Sequence, residues 1–210
     1  MKPDYSLYLV TNRMHMSTGT LSEAVELAVA GGCTLVQLRE KDISSLDFYT
    51  LALEIKKITD SYGVPLIIND RIDIAMAVGT AGVHIGQKDI PADIARKVID
   101  KDMFLGVSVS SVDEAIDAVK AGADYLGVGA MFPTGTKPDA GFVSMEELGR
   151  IRRAVDIPIV VIGGISKENA MLFRPMGIDG LAVVSAVIAQ PDIKKSVADL
   201  KSLFFEGGCK

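Results

Sequence analysis

Ala121-Gly122-Ala123-Asp124-Tyr125-Leu126-Gly127-Val128 carries a helix stop and the strand that follows it. Glycine at 122 suits the left-handed cap that ends a helix. The run Tyr125–Val128 is continuously apolar, the pattern of a strand covered on both faces. The same order recurs at Ala30-Gly31-Gly32-Cys33, Val78-Gly79-Thr80-Ala81 and Met176-Gly177-Ile178-Asp179, each ahead of another short apolar run. These four units introduce even-numbered strands, and the interleaved runs supply the odd ones. The predicted strands are Leu7–Val10, Leu35–Leu38, Pro65–Ile68, Gly82–Ile85, Leu105–Val107, Tyr125–Val128, Ile159–Ile162 and Gly180–Val184. Capping-box spacing at Thr20/Glu23, Ser111/Glu114 and Ser144/Glu147 opens helices between them. In the second of these helices Ala115, Ile116 and Val119 are expected to face inward and Asp117 and Lys120 to face water. Such alternation predicts an α/β fold, a single-domain (β/α)8 TIM barrel over 1–210 with 207–210 as a flexible tail. An open doubly wound sheet is the alternative, and its edge strands should look more polar.

The chain's 210 residues, 49% of them hydrophobic, suffice for one large core, and no Ser- or Gly-rich linker divides them. A net charge of -5 with scattered basic residues argues against a nucleic-acid partner. No apolar run approaches the roughly 18 to 20 residues of a membrane span, and the N-terminus lacks an apolar signal core. No membrane partner and a cytoplasmic location are therefore expected. Cys33 and Cys209 lie far apart and read as free thiols. The nine methionines read as core filling.

In a barrel the loops after the strands converge on one mouth. Polar residues repeat at these predicted strand ends. Asp70 and Asp89 follow the third and fourth strands, and neighbouring strands lie about 5 Å apart. Their carboxylates can share a hard cation such as Mg²⁺, which takes oxygen ligands. Alternatively each caps a helix, Asp70 the one starting near Arg71 and Asp89 the one containing Pro91. Gln37, Arg39 and Lys41 alternate toward one side, where a planar fork and a point charge suit a diphosphate. The other reading pairs Arg39 with Glu40 or Asp42. Gly163-Gly164 and Val184-Ser185 end the seventh and eighth strands, where barrels often bind phosphate through backbone N–H groups. Thr134-Gly135-Thr136-Lys137, after the sixth strand, puts two hydroxyls, a glycine and a cation in a loop suited to anions. The loop over 131–142, with Gly135 and Gly141, is expected to close over substrates. His84 reads as a core residue and His15 as a surface one.

Six segments, Gln37–Lys41, Ile67–Arg71, Gly82–Asp89, Gly106–Ser108, Phe132–Ala140 and Ile162–Ile165, together resemble the signatures of the thiamine-phosphate synthase (thiamine-phosphate pyrophosphorylase) family, in order and at comparable spacing. The resemblance implies an enzyme, a transferase with small-molecule substrates and Mg²⁺ as cofactor. It would join hydroxymethylpyrimidine diphosphate to a thiazole phosphate, carboxylated or not, and release pyrophosphate. It implies that Gln37, Arg39, Lys41 and Asn69 hold the pyrimidine diphosphate, Ser108 the pyrimidine, and Asp70 and Asp89 the metal. Lys137 would meet the diphosphate, and Lys137, Ser108, Arg39 and Lys41 would carry catalysis. Thr134, Gly135, Thr136, Gly164, Val184 and Ser185 would receive the thiazole phosphate. One departure stands out: where the family usually shows Ser-x-His-Thr or Ser-x-His-Ser, the chain has Ser108-Val109-Ser110-Ser111, with Ser110 in the histidine's place. That counts against the similar thiazole tautomerase, an isomerase and one alternative. A non-catalytic phosphate-binding barrel is the other, and assembly into a homo-oligomer is left open.

Overall fold

The eight strands run parallel and pair in chain order, and the last returns to the first. They are β1 (Leu7–Val10), β2 (Leu35–Leu38), β3 (Leu66–Asn69), β4 (Gly82–Ile85), β5 (Phe104–Val109), β6 (Tyr125–Val128), β7 (Ile159–Val161) and β8 (Gly180–Val183). A computed structural model describes residues 3–135 and 141–206 of the chain. Closure leaves no edge strand, which rules out the open doubly wound sheet. β5 extends further at both ends than its apolar run suggested, because Ser108 belongs to the strand and carries it to Val109. The expected tail at 207–210 lies outside the described residues.

The connecting helices are α1 (Leu21–Ala30), α2 (Ser45–Ser61), α3 (Ile72–Val78), α4 (Ala92–Val98), α5 (Val112–Lys120), α6 (Met145–Ala154), α7 (Ser185–Ile188) and α8 (Ile193–Lys201). The three expected caps form: Thr20, Ser111 and Ser144 accept from the N–H of Glu23, Glu114 and Glu147 at 3.2, 3.3 and 3.0 Å. Each satisfies a donor that a helix start would otherwise leave orphaned. After β7 the connection is a 3₁₀ segment, Ala170–Met176, rather than an α-helix. Pro175 inside it has no N–H to donate. Gly32, Gly79, Gly122 and Gly177 have φ of 106, 67, 90 and 66°, the positive values expected where helices stop.

A further regularity ties each half-unit to the next. The residue just before an even strand accepts from an N–H at the start of the preceding odd strand, the first or second one. Thr34 Oγ1 accepts from Leu7 at 3.0 Å, Asp124 Oδ2 from Leu105 at 2.7 Å and Asp179 Oδ2 from Ile159 at 2.8 Å. Ala81 occupies the equivalent place before β4, and its methyl group cannot accept such a bond.

The strand pleat sorts the core into two layers. Leu7, Leu9, Val36, Leu38, Ile68 and Val83 belong to the larger cluster between strands and helices. Tyr8, Val10, Leu35, Ile67, Tyr125, Val160 and Ala182 form the smaller cluster inside the barrel. In α5, Ala115 and Ala118 are buried, Ile116 and Val119 are half-buried against the core, and Asp117 and Lys120 are exposed. The reading of methionines as core filling needs correction. Met103 and Met131 are buried, but Met14 is 85% exposed and Met76 and Met171 also face solvent. Methionine has no periodicity that distinguishes the two environments. Cys33 is a buried free thiol. Among the described residues no helix is long and apolar enough to cross a membrane.

Candidate active site

At the C-terminal end of the barrel the inward positions change from apolar to polar. The cavity there is lined by Tyr8, Gln37, Arg39, Asn69, His84 and Ser108 on one side and by Thr134, Gly163, Gly164, Val184 and Ser185 on the other. Gln37, Asn69 and Ser108 lie on strands, so their positions are set by the sheet itself. Asn69 Nδ2 is buried and has no hydrogen-bond partner among the described residues. A buried amide left without a partner costs roughly 1 to 3 kcal/mol, which a ligand acceptor would recover.

Asp70 and Asp89 meet beside this cavity rather than in its lining. Burial pushes the Asp89 carboxyl above its ordinary range, and the touching Asp70 carboxylate pushes it further. The Gly86 N–H, bonded to Asp89 Oδ2 at 2.7 Å, and the charge of Lys41 pull the other way. Lys41 forms an ion pair with Asp70. Neither carboxylate caps a helix, because α3 starts from Arg71 and α4 from Pro91, both without a side-chain cap. Asp70 itself has φ of 62°, a left-handed conformation that aspartate tolerates better than most residues. Among the described residues no group of three or more His, Cys, Asp or Glu side chains is placed to hold a metal. Two carboxylates forced together in a partly buried setting nevertheless fit Mg²⁺, which is commonly held by one or two carboxylates and completed by substrate phosphate.

The cations separate into roles. Glu40 pairs with Arg13 at 3.0 Å rather than with Arg39. Arg39 lines the cavity, and its backbone N–H bonds Thr11 Oγ1 at 2.9 Å. On the opposite wall, Gly163 and Gly164 have φ of 94 and 65°. Their carbonyls accept from Phe132 N–H at 3.0 Å and Asn169 Nδ2 at 2.8 Å, so the intervening backbone is fixed from behind. A Cβ on Gly164 would lie 2.7 Å from Phe132 Cβ. Val184 and Ser185 mark the turn from β8 into α7. Gly135 is exposed and lies off the cavity lining. Thr136 and Lys137, and with them the centre of the loop expected to close, lie outside the described residues.

Ser110, in the place where a histidine was expected by resemblance, turns away from this chemistry: its N–H and hydroxyl bond Glu114 Oε2 at 2.6 and 2.8 Å. Sequence reasoning missed a set of buried polar groups inside the barrel. Gln37 Nε2 donates to Tyr8 Oη at 2.8 Å, and Tyr8 Oη lies 2.8 Å from Tyr125 Oη. Tyr125 Oη lies 3.0 Å from His84 Nδ1, and His84 Nε2 lies 2.9 Å from Ser108 Oγ. His84 is thus a buried residue, as expected, yet it bonds a residue of the candidate site. The available signal was alternation, since Tyr8, His84 and Tyr125 share the inward register of their strands with Gln37 and Ser108.

A closed parallel barrel whose polar groups converge beyond the strand ends defines a (β/α)8-barrel enzyme. Residues 7–187 match the family model described as thiamine monophosphate synthase. The thiamine-phosphate synthase of Clostridium beijerinckii is 63% identical over 208 residues, covering 98% of this chain and all of that one. That of Ruminiclostridium cellulolyticum is 62% identical over 203 residues, 97% of each chain. The solved thiamine phosphate pyrophosphorylase from Pyrococcus furiosus is similar with a TM-score of 0.90 at 36% identity, over 97% of each chain. The chain belongs to the thiamine monophosphate synthase family, whose members are transferases.

Proposed function

We propose that this chain transfers a pyrimidinylmethyl group from hydroxymethylpyrimidine diphosphate to the ring nitrogen of a thiazole phosphate, giving thiamine phosphate and pyrophosphate. The observation that carries the reading is the meeting of Asp70 and Asp89 next to Lys41, at the edge of a cavity that also holds Arg39 and the unpartnered Asn69 amide. That edge suits the diphosphate, with Gln37, Arg39, Lys41 and Asn69 as its ligands and Lys137 added from the loop after β6. Asp70 and Asp89 would hold Mg²⁺. When bound, the ion would neutralise charge on the diphosphate oxygens.

Breaking the carbon–oxygen bond leaves charge on the departing diphosphate, and Arg39, Lys41 and Lys137 stabilise it in a site that limits water. The pyrimidine's own amino group delocalises the positive charge left on the methylene carbon, so no strong protein base is required. Ser108 then serves to orient the pyrimidine. Thr134, Gly164, Val184 and Ser185 on the opposite wall, with Gly135 and Thr136 added from the loop after β6, would hold the thiazole phosphate, and attack by the thiazole nitrogen becomes a matter of proximity. The enzyme would work in the cytoplasm on small molecules supplied there.

Mixing both substrates with the chain and Mg²⁺ should release pyrophosphate and form thiamine phosphate. Chelation should abolish the reaction, and so should Asp70→Asn/Asp89→Asn. Full activity of that double variant in chelator-treated buffer would sink the metal assignment, and no product with either substrate pair would sink the transfer itself.

A further inference from the structure

The hydrogen-bonded groups between Gln37 and Ser108 form one unbroken chain across the barrel, and its donors can be counted. A glutamine Nε2 only donates, so with Nε2 on Tyr8 the Tyr8 oxygen accepts. Each phenol has one proton. Burial pushes the Tyr8 and Tyr125 hydroxyls well above their ordinary range, so both keep that proton. Tyr8 then donates to Tyr125, because if Tyr125 donated instead the buried Tyr8 proton would be left without an acceptor in this chain of bonds. Tyr125 in turn donates to His84 Nδ1. A neutral imidazole that accepts at Nδ1 carries its proton on Nε2, where it donates to Ser108 Oγ. The Ser108 proton is then left for a ligand, and so is the accepting Oε1 of Gln37.

We infer that Tyr8, Tyr125 and His84 are positioning residues whose ordered hydrogen bonds present Gln37 as an acceptor and Ser108 as a donor to the bound heteroaromatic amine. The inference rests on the proposed binding of an aminopyrimidine, which offers an exocyclic N–H donor and ring-nitrogen acceptors. Reversing the chain would require the Gln37 amide to turn over and every member to follow. A ligand presenting the opposite pattern therefore meets a coupled penalty rather than one poor contact.

The barrel is hollowed to let this chain through. A Cβ on Gly106 would lie 2.2 Å from Tyr125 Cζ and 2.4 Å from His84 Nδ1, and one on Gly127 would lie 3.0 Å from His84 Cε1. Glycines on β5 and β6 thus give up packing volume where the phenol and the imidazole pass. An apolar interior could fill the same space without polar desolvation. A chain that begins and ends on cavity-lining residues gives the polar filling a purpose.

The test reads the His84 tautomer by ¹⁵N NMR of the histidine-labelled, substrate-free full chain at neutral pH. The expected spectrum has a protonated Nε2 and a bare Nδ1. A proton on Nδ1, or on both nitrogens, overturns the inference. In Tyr125→Phe the bare Nδ1 loses its donor, so the tautomers should mix. KM for the pyrimidine diphosphate should rise by about tenfold while kcat falls less. An unchanged tautomer with unchanged KM in that variant also overturns it. If Tyr125→Phe does not fold, the wild-type spectrum decides alone. Loss of the transfer reading would appear as absent product with any tautomer, so the two failures are distinct.

Discussion

Lys41, just beyond β2, forms an ion pair with Asp70, just beyond β3, while the same Asp70 carboxylate presses against Asp89 from the β4 side. Without a divalent ion, the lysine is the positive charge that lets the two acids stand together. It would therefore compete with the proposed metal for Asp70. It also forms part of the surface that would receive the diphosphate. One side chain thus ties the proposed metal and leaving-group sites together.

Lys41→Met should consequently have opposite effects on two measurements. Affinity for Mn²⁺ in the absence of substrates should rise, by about two- to tenfold given that Lys41 is half exposed and the pair is screened. Turnover with both substrates should fall. Calorimetric titration of the metal and steady-state kinetics check the two arms, and weaker metal binding in the variant would contradict the competition.

Lys137→Ala should slow turnover by about a hundredfold while the KM for the thiazole phosphate changes little, because the proposed role of the charge is to meet the departing diphosphate. Steady-state kinetics with each substrate varied in turn separates the cases. A large rise in thiazole KM with kcat preserved would move Lys137 to the other substrate.

Asp124→Ala and Asp179→Ala should each lower stability by about 1 kcal/mol, near the low end for losing the hydrogen bond that a buried N–H donates to a partly exposed carboxylate. Each acid accepts from an N–H at the start of a strand, Leu105 or Ile159, and is also held by an arginine, Arg96 at 3.1 Å and Arg152 at 3.4 Å. Urea unfolding midpoints give the measurement, with Ala81→Ser as a comparison at the position where the barrel lacks such a bond.

Cys33 should resist alkylation in the folded chain. Burial pushes its thiol from 9.0 up to about 12, with Lys201 opposing only in part, so the nucleophilic thiolate is scarce at pH 8. In a Cys209→Ala chain, iodoacetamide should react no faster than the protein unfolds. The folded value lies above the unfolded one, so this thiol's contribution to stability is complete below pH 9 and declines as pH rises toward 12. Fast labelling at pH 8 would show that Cys33 is reached without unfolding.

Much of this molecule was legible in its sequence. Helix-stopping glycines and short apolar runs revealed the barrel, because both faces of its strands are covered and each unit repeats the same punctuation. Charges at strand ends singled out Arg39, Lys41, Asp70 and Asp89 as candidates, but helix capping by the two acids stayed open until α3 and α4 were seen to start from Arg71 and Pro91. Alternation could place Tyr8, Tyr125 and His84 inward, but the chain of bonds through them was not legible. An aromatic residue on an apolar strand reads as core, and only barrel closure brings β1, β4 and β6 together across the interior. The partner of Glu40 was missed for a similar reason: Arg13 sits in the loop after β1 and reaches it through space rather than along the strand. The 3₁₀ segment at Ala170–Met176 also escaped, although Pro175 was visible, because the repeat count required only some connection there.

The paired glycines at 163 and 164 limit how this enzyme can diversify. A methyl group on Gly163 would come within 2.6 Å of Ala130 Cβ, so any larger residue there must be matched by a shift in the neighbouring loop. Single mutations cannot easily remodel that wall. Descendants that come to accept a differently shaped acceptor should therefore carry their changes at positions such as Val184 or Thr134, and keep both glycines intact.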